Sequence, residues 1–216
     1  MELSLTPREL LTTTRTVRKR LDLSRPVPRD VVEECLRIGW QAPNGGNMQQ
    51  YQWVLVDDET TRRAMGKIYA QCMADVFAQA KRAQGGAPGA VPKDRAAEVM
   101  DSTAYLVEHL GEVPVLVVPT IDGRVEKLAS VAQQAQAWGS ILPAVWNFML
   151  ALRSQAMGSA WTTIHLMREQ EMAELLGIPY GEVTQVGMFP VAYTVGTEFR
   201  PASRALSEQT IHWNAW

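Results

Sequence analysis

Ala42-Pro43-Asn44-Gly45-Gly46-Asn47-Met48-Gln49 leads through Gln50-Tyr51 into Gln52-Trp53-Val54-Leu55-Val56, an apolar run of strand length. Pro43 stops the helix before it, and the glycine pair turns the chain. Glycine also lets backbone N–H groups approach a flat ring closely. Asn44, Asn47 and Gln49 add amides that can pair with the polar edge of such a ring. Upstream, Arg15-Thr16-Val17-Arg18 sets two guanidinium groups and a hydroxyl close together. Arginine offers a planar fork of donors, and charge-assisted bonds to phosphate are the strong kind. Together the two segments predict a ligand with a phosphate at one end and a heteroaromatic ring at the other.

Working outward, Thr6-Pro7-Arg8-Glu9 is a capping box with proline at the first helical position, so a helix starts there, with Leu10 and Leu11 expected to face a core. A second helix starts at Pro28, where Val31, Val32, Cys35, Leu36 and Ile38 keep helical spacing. Asp57-Asp58 closes the strand 52–56 and caps a helix through Ala64, Met65 and Ile68. Residues 84–92, with three glycines and two prolines, are irregular and lie between helical stretches 62–82 and 94–110. Residues 115–118 read as a short buried strand. Residues 184–195 read as a longer one, in which Pro190 implies a bulge or an edge. Strands and helices do not alternate, which favours an α+β layer over a doubly wound parallel sheet. Gly85, Gly86 and Gly89 follow no strand, so a Rossmann nicotinamide site is disfavoured.

At 216 residues, 46% apolar and 20% charged, the chain is expected to be one globular domain, 1–216. A formal net charge of −2 gives no electrostatic reason to expect nucleic acid or an anionic membrane as a partner. Cys35 and Cys72 lie in apolar helical runs and read as reduced thiols. The N-terminus has no signal-peptide pattern and no run is long enough to span a bilayer, so a cytoplasmic location is expected. His109, His165 and His212 lack metal-binding spacing, and no metal is expected.

These segments, in this order, resemble the FMN-dependent nitroreductase family. That family opens with Arg-Ser-x-Arg and follows with Ala-Pro-Ser-Gly-x-Asn-x-Gln leading into a hydrophobic strand. The similarity continues through Pro143 to Leu152 (a buried central helix), Gly158 to Thr163 (a strand passing the flavin), Leu176-Gly177-Ile178-Pro179 and Arg204-Ala205-Leu206. The resemblance implies an α+β sandwich, a central mixed but mainly antiparallel sheet flanked by helices. It also implies an intertwined homodimer with FMN at the interface. A substrate lid would fall at about 67–110 and a C-terminal arm at about 198–216. Cofactor-binding residues carried over are Arg15, Thr16, Arg18 and Arg204 at the phosphate, with Asn44, Gly45, Asn47, Gln49, Thr163, Ile164 and His165 around the ring. The implied activity is ping-pong reduction of nitroaromatics, quinones or similar electron-poor molecules by NAD(P)H. The chemistry is at N5 of the flavin, and no side-chain acid or base is named. Alternatives on the same fold are reductive dehalogenation, flavin fragmentation, substrate oxidation and flavin storage.

The departures are specific. Thr16 replaces Ser but keeps the hydroxyl, Gln50-Tyr51 stands for Pro-Trp, and the lysine often found ahead of the late arginine is absent at Arg200-Pro201-Ala202-Ser203-Arg204. Each site residue also has a plainer role: basic side chains complement the end of a helix, and Asn-Gly-Gly is turn chemistry in any protein. A lone histidine such as His165 is as often structural as functional. Trp138, Trp146, Trp213 and Trp216 read as core or dimer contacts, with Trp161 the one placed for an aromatic site.

Overall fold

A computed structural model of the chain describes residues 2–82, 96–202 and 210–216, and its axis is β2 (Val115–Asp122). Successive strand side chains point to opposite faces. In β2, Val115, Val117 and Ile121 join one apolar cluster, while Leu116 and Val118 join the other. The strand is buried from Val115 to Ile121, which is why it opens on the apolar run Val115-Leu116-Val117-Val118. On one side it pairs antiparallel with β1 (Tyr51–Val56), in register from Tyr51↔Ile121 to Val56↔Leu116. On the other side its start pairs with β5 (Phe189–Tyr193) and its end with β4 (Val183–Gln185). The short β3 (Met157–Ser159) lies outside β5.

Helices cover both faces of this sheet. α2 (Arg29–Gly39) and α5 (Val131–Ser154) share the cluster of Val115 and Val117. α3 (Glu59–Arg82), α4 (Ala96–His109) and α6 (Glu169–Leu176) share that of Leu116 and Val118. The result is the expected α+β sandwich. All named strand pairs are antiparallel, and parallel contacts occur only as the bridges Thr16↔Ser159 and Gly123↔Val183 among the described residues.

Helix starts follow the sequence signals. α1 (Pro7–Thr13) opens on the capping box: Thr6 Oγ1 accepts the Glu9 N–H at 3.2 Å, and Glu9 accepts the Thr6 N–H at 2.8 Å. Asp58 accepts the Thr61 N–H at 2.8 Å and starts α3. Two expectations fail. Leu11 is 59% exposed and Thr13 is the one buried residue of α1, because a two-turn helix laid against α5 buries a single edge. The long strand 184–195 is two strands, β4 and β5, separated at 186–188. Pro190 therefore lies inside the sheet, opposite Leu116, and not at its edge. It sits between the end of the β3 ladder at Ser159↔Val191 and the isolated Thr162↔Met188 bridge, so its missing donor breaks no ladder pair.

Much of the expected lid, 67–110, is helix in α3 and α4; residues 84–92 lie outside the described residues. Among the described residues, no helix is long and apolar enough to cross a membrane, and no cluster of His, Cys, Asp or Glu could hold a metal ion.

Candidate active site

The phosphate-like segment runs along the edge of β3. Thr16 bridges Ser159 in parallel, and the Val17 N–H donates to the Ser159 carbonyl at 2.9 Å. Gly158 makes this approach possible. A Cβ there would lie 2.8 Å from Cγ2 of both Val17 and Thr194. The segment sends its two arginines to different neighbours. Half-buried Arg15 donates to the Arg200 carbonyl at 3.0 Å and lines a crevice with Thr13, Thr14 and Ser159 beside the end of α5. Arg18 donates to Ser102 Oγ on α4 at 3.3 Å and lies near Tyr69, whose hydroxyl neighbours Thr162. Burial pushes the Arg18 pKa down, and Tyr69 pulls it back up. Among the described residues neither arginine has a carboxylate partner, whereas the adjacent Lys19 pairs with Asp101. The two arginines therefore do not converge on one point. Arg204, expected to complete a phosphate clamp with them, lies outside the described residues.

The ring-like segment forms a 3-10 turn, Gly45–Asn47, held against the N-terminal half of α5. Ser140 Oγ accepts the Gly45 N–H at 2.9 Å and donates to the Gln136 carbonyl. That N–H is thus engaged with α5, and is not free for a ligand as the sequence suggested. The turn is tight: Gly46 has φ 61°, Asn47 56° and Gln49 46°. A left-handed Gln is uncommon, and such strain gathers where a loop is held for function. Gln49 donates to Asn47 Oδ1 at 3.3 Å, and Asn44 Oδ1 is buried without a partner among the described residues. Met48, Gln49 and Gln50 line a cleft of about 250 Å³ with Asp122, Gln133, Gln136 and Ser140.

One chain does not unite these halves. The amide-rich turn is anchored at Ser140 and the basic crevice reaches Arg153, thirteen residues farther along α5, or about 20 Å at 1.5 Å per residue. What one chain does unite is residues 15–18 with 159–163. Thr163 precedes the 3-10 turn Ile164–Arg168, and Ile164 packs on the apolar cluster shared by α3, α4 and α6. The His165 ring is completely buried, so it does not face a cleft. Burial drives its pKa down to about 4, and Gln185 alongside pulls the other way without hydrogen-bond geometry to either ring nitrogen. Of His165 only the backbone is left to meet a ligand, whereas Thr163 is exposed. Trp161 stacks edge-on to Phe189 at 5.3 Å between centroids.

Three residues were not singled out as site residues by the sequence reading, although Ser159 lies in the segment 158–163 expected to pass the flavin. Tyr69 lies inside a helical apolar run and is indistinguishable there from core. Ser159 follows a glycine in a short strand. Arg153 ends Phe148-Met149-Leu150-Ala151-Leu152-Arg153, and a cation continuing an apolar helix face is a signal that could have been read.

A sequence profile of the nitroreductase family matches residues 11–193. The fold is similar to that of a BluB-like flavoprotein from Clostridium difficile 630, with a TM-score of 0.72 and 13% identity over 98% of this chain and 100% of that one. It is also similar to an oxidized iodotyrosine deiodinase bound to FMN and 3-iodo-L-tyrosine (TM-score 0.71, 18% identity, 97% and 99% covered). A third similar structure is the FMN and NADPH-dependent nitroreductase NfnB from sphigopyxis sp. strain HMH (TM-score 0.70, 17% identity, 98% and 100% covered). At these identities the likeness is one of fold.

Proposed function

The chain belongs to the nitroreductase family, whose cofactor is FMN, and we propose that it is a homodimeric oxidoreductase reducing nitroaromatics, quinones or similar electron-poor molecules with NAD(P)H. Bound FMN supplies the two-electron chemistry, and the protein supplies binding, orientation and water exclusion. Arg15 and Thr16, with Arg204 carried over from the motif, hold the phosphate. Arg18, half-buried beside hydroxyls and with no carboxylate partner among the described residues, holds a polar edge of the ring. Asn44, Gly45, Asn47 and Gln49 border the ring from the other side, as do the backbone groups of Thr163, Ile164 and His165. Donor and acceptor use one pocket in turn. The chain acts as one domain, with about 67–110 bordering the substrate and about 198–216 as an arm over the partner. A cytoplasmic location is part of this reading, and two free, buried thiols are in keeping with it.

The observation that carries this reading is the pair of half-sites set along α5, one held at Ser140 in its N-terminal half and the other at Arg153 by its C-terminal end. A two-fold axis that sets α5 antiparallel to its copy brings the amide-rich turn of one chain to the basic end of the other. Exposed apolar groups support such a contact: Trp146 on α5 is 37% exposed, and Trp213 and Trp216 on the C-terminal tail are 85% and 102% exposed. The test is to identify the chromophore of the purified protein by mass, measure its assembly by light scattering and follow anaerobic bleaching with NADH or NADPH. FMN in a dimer that bleaches and is reoxidised by a nitroaromatic or quinone is expected. A monomer holding flavin refutes the composite site. Flavin that no nicotinamide bleaches points to storage, and bleached flavin reoxidised only by an iodinated phenol points to dehalogenation.

A further inference from the structure

Arg153 places a cation where the buried stripe of α5 ends. The residue is 5% exposed, and among the described residues its Nε and Nη1 have no hydrogen-bond partner. No carboxylate among the described residues pairs with it. The guanidinium lies 4.9 Å over the Phe199 ring, but Arg20 stacks on the same ring at 4.1 Å, and the like charge opposes it. Ser159, 3% exposed, also has an Oγ without a partner among the described residues. Both groups line the crevice that holds Arg15.

The crevice is about 10 Å³, room for one water-sized group. Beside it an open groove of about 610 Å³ shares Thr13, Arg153 and Phe199. Two carboxylates border the groove, Glu9 and Glu198. Both residues are exposed, and that of Glu9 is bound to Thr6. A buried guanidinium without a counter-ion is costly, and such a group persists where a ligand brings the missing charge. A dianion with several acceptor oxygens suits two arginines and a hydroxyl better than a neutral ligand does.

We propose that Arg153, with Ser159 and Arg15 beside it, is an anion receptor for a phosphate monoester and the inner ligand of the FMN phosphate. The second half of this statement rests on the reading given under Proposed function. It adds a ligand from the central helix to those the motif supplies, and it explains why a cation is tolerated among Met149, Leu152 and Met157.

The test uses Arg153→Met, which keeps the stem and removes the charge, with Arg153→Lys and Ser159→Ala beside it. In Arg153→Met the FMN Kd should rise about ten- to a hundredfold, while riboflavin affinity stays within about twofold. Arg153→Lys should recover part of the loss and Ser159→Ala should show a smaller one. Inorganic phosphate should raise the melting temperature of the wild-type apoprotein but not of apo Arg153→Met. That variant should itself melt no lower than wild type, since an unpaired buried charge has been removed. Unchanged FMN affinity, or equal loss of FMN and riboflavin, overturns the proposal. So does a lower melting temperature of apo Arg153→Met, which would mean that the charge is paired within the protein or by a partner's carboxylate. A wild-type protein that takes up no FMN refutes the functional reading instead, and the phosphate melting shift alone then decides on the anion site. If Arg153→Met fails to fold, the lysine and Ser159 variants carry the same comparison.

Discussion

Replacing Gly158 by alanine tests whether the contact between residues 15–18 and β3 builds the cofactor site. The new Cβ would lie 2.8 Å from Cγ2 of Val17 and of Thr194, and 2.9 Å from Cβ of Val17. Carbon atoms rest at about 3.5–4.0 Å, so both neighbours must retreat by more than half an ångström. Val17 is 5% exposed and cannot swing outward without leaving the core. Overpacking of this kind costs about 1–3 kcal/mol, or about 2–12 °C of melting temperature in a chain of this length. The same retreat stretches the 2.9 Å bond from the Val17 N–H to Ser159 and moves Arg15 off its crevice. Losing one charge-assisted contact, about 1.5–3 kcal/mol, raises the FMN Kd about ten- to a hundredfold. Thermal melting of the apoprotein and titration of flavin fluorescence read the two effects separately. Val17→Ala in the same chain removes one of the colliding methyl groups and should return part of both losses. A Gly158→Ala protein that melts within about 1 °C of wild type and binds FMN equally well refutes the reasoning.

Other outcomes follow from the same geometry. Arg15→Ala and Arg204→Ala should weaken FMN about ten- to a hundredfold and leave riboflavin almost unchanged. Arg18→Ala, whose side chain lies by Tyr69 and Thr162, should weaken both alike; selective loss of FMN would return Arg18 to the phosphate. Deleting residues 211–216 should lower the dimer affinity and release FMN together, and a shortened protein that stays dimeric by light scattering counts against the arm. The depressed His165 pKa also sets a pH response. The folded ring takes up its proton only near pH 4 while the unfolded ring does so near 6.5, so stability is full above about 6.5 and falls as pH drops toward 4. The whole step is about 3 kcal/mol at 1.36 kcal/mol per unit. Urea unfolding of His165→Leu between pH 7 and 4 should lose that part of the slope, and an unchanged slope would refute it.

Most elements were legible because their signals are local. The capping box at Thr6, the Asp58 cap, the helical spacing from Val32 to Leu36 and the apolar run at Val115 each lie within a few residues, and each formed the element it predicts. Local signals also mislead where the deciding partner is remote. Leu11 keeps helical spacing yet stays exposed because α5 offers α1 only one edge, and residues 184–195 split because β2 pairs with β4 at one end and β5 at the other.

By itself the sequence determined the sandwich class, the family resemblance and the residue types that suit a phosphate and a flat ring. Only the tertiary structure decided which of them meet. Gly158 looks like any glycine until Val17 and Thr194 close on it, and Gly45 looks free until Ser140 takes its N–H. Arg15 and Arg18 sit three apart and read as one clamp, but the extended segment sends one toward α5 and the other toward α4. His165 has the right neighbours in sequence and a ring that is wholly buried. Arg153 reads as the end of a helix, and becomes a candidate ligand only because the fold closes over its charge while no described residue supplies an anion. Residue type sets which bonds a group can make, whereas burial and the distance to a partner are properties of chain segments far apart in sequence.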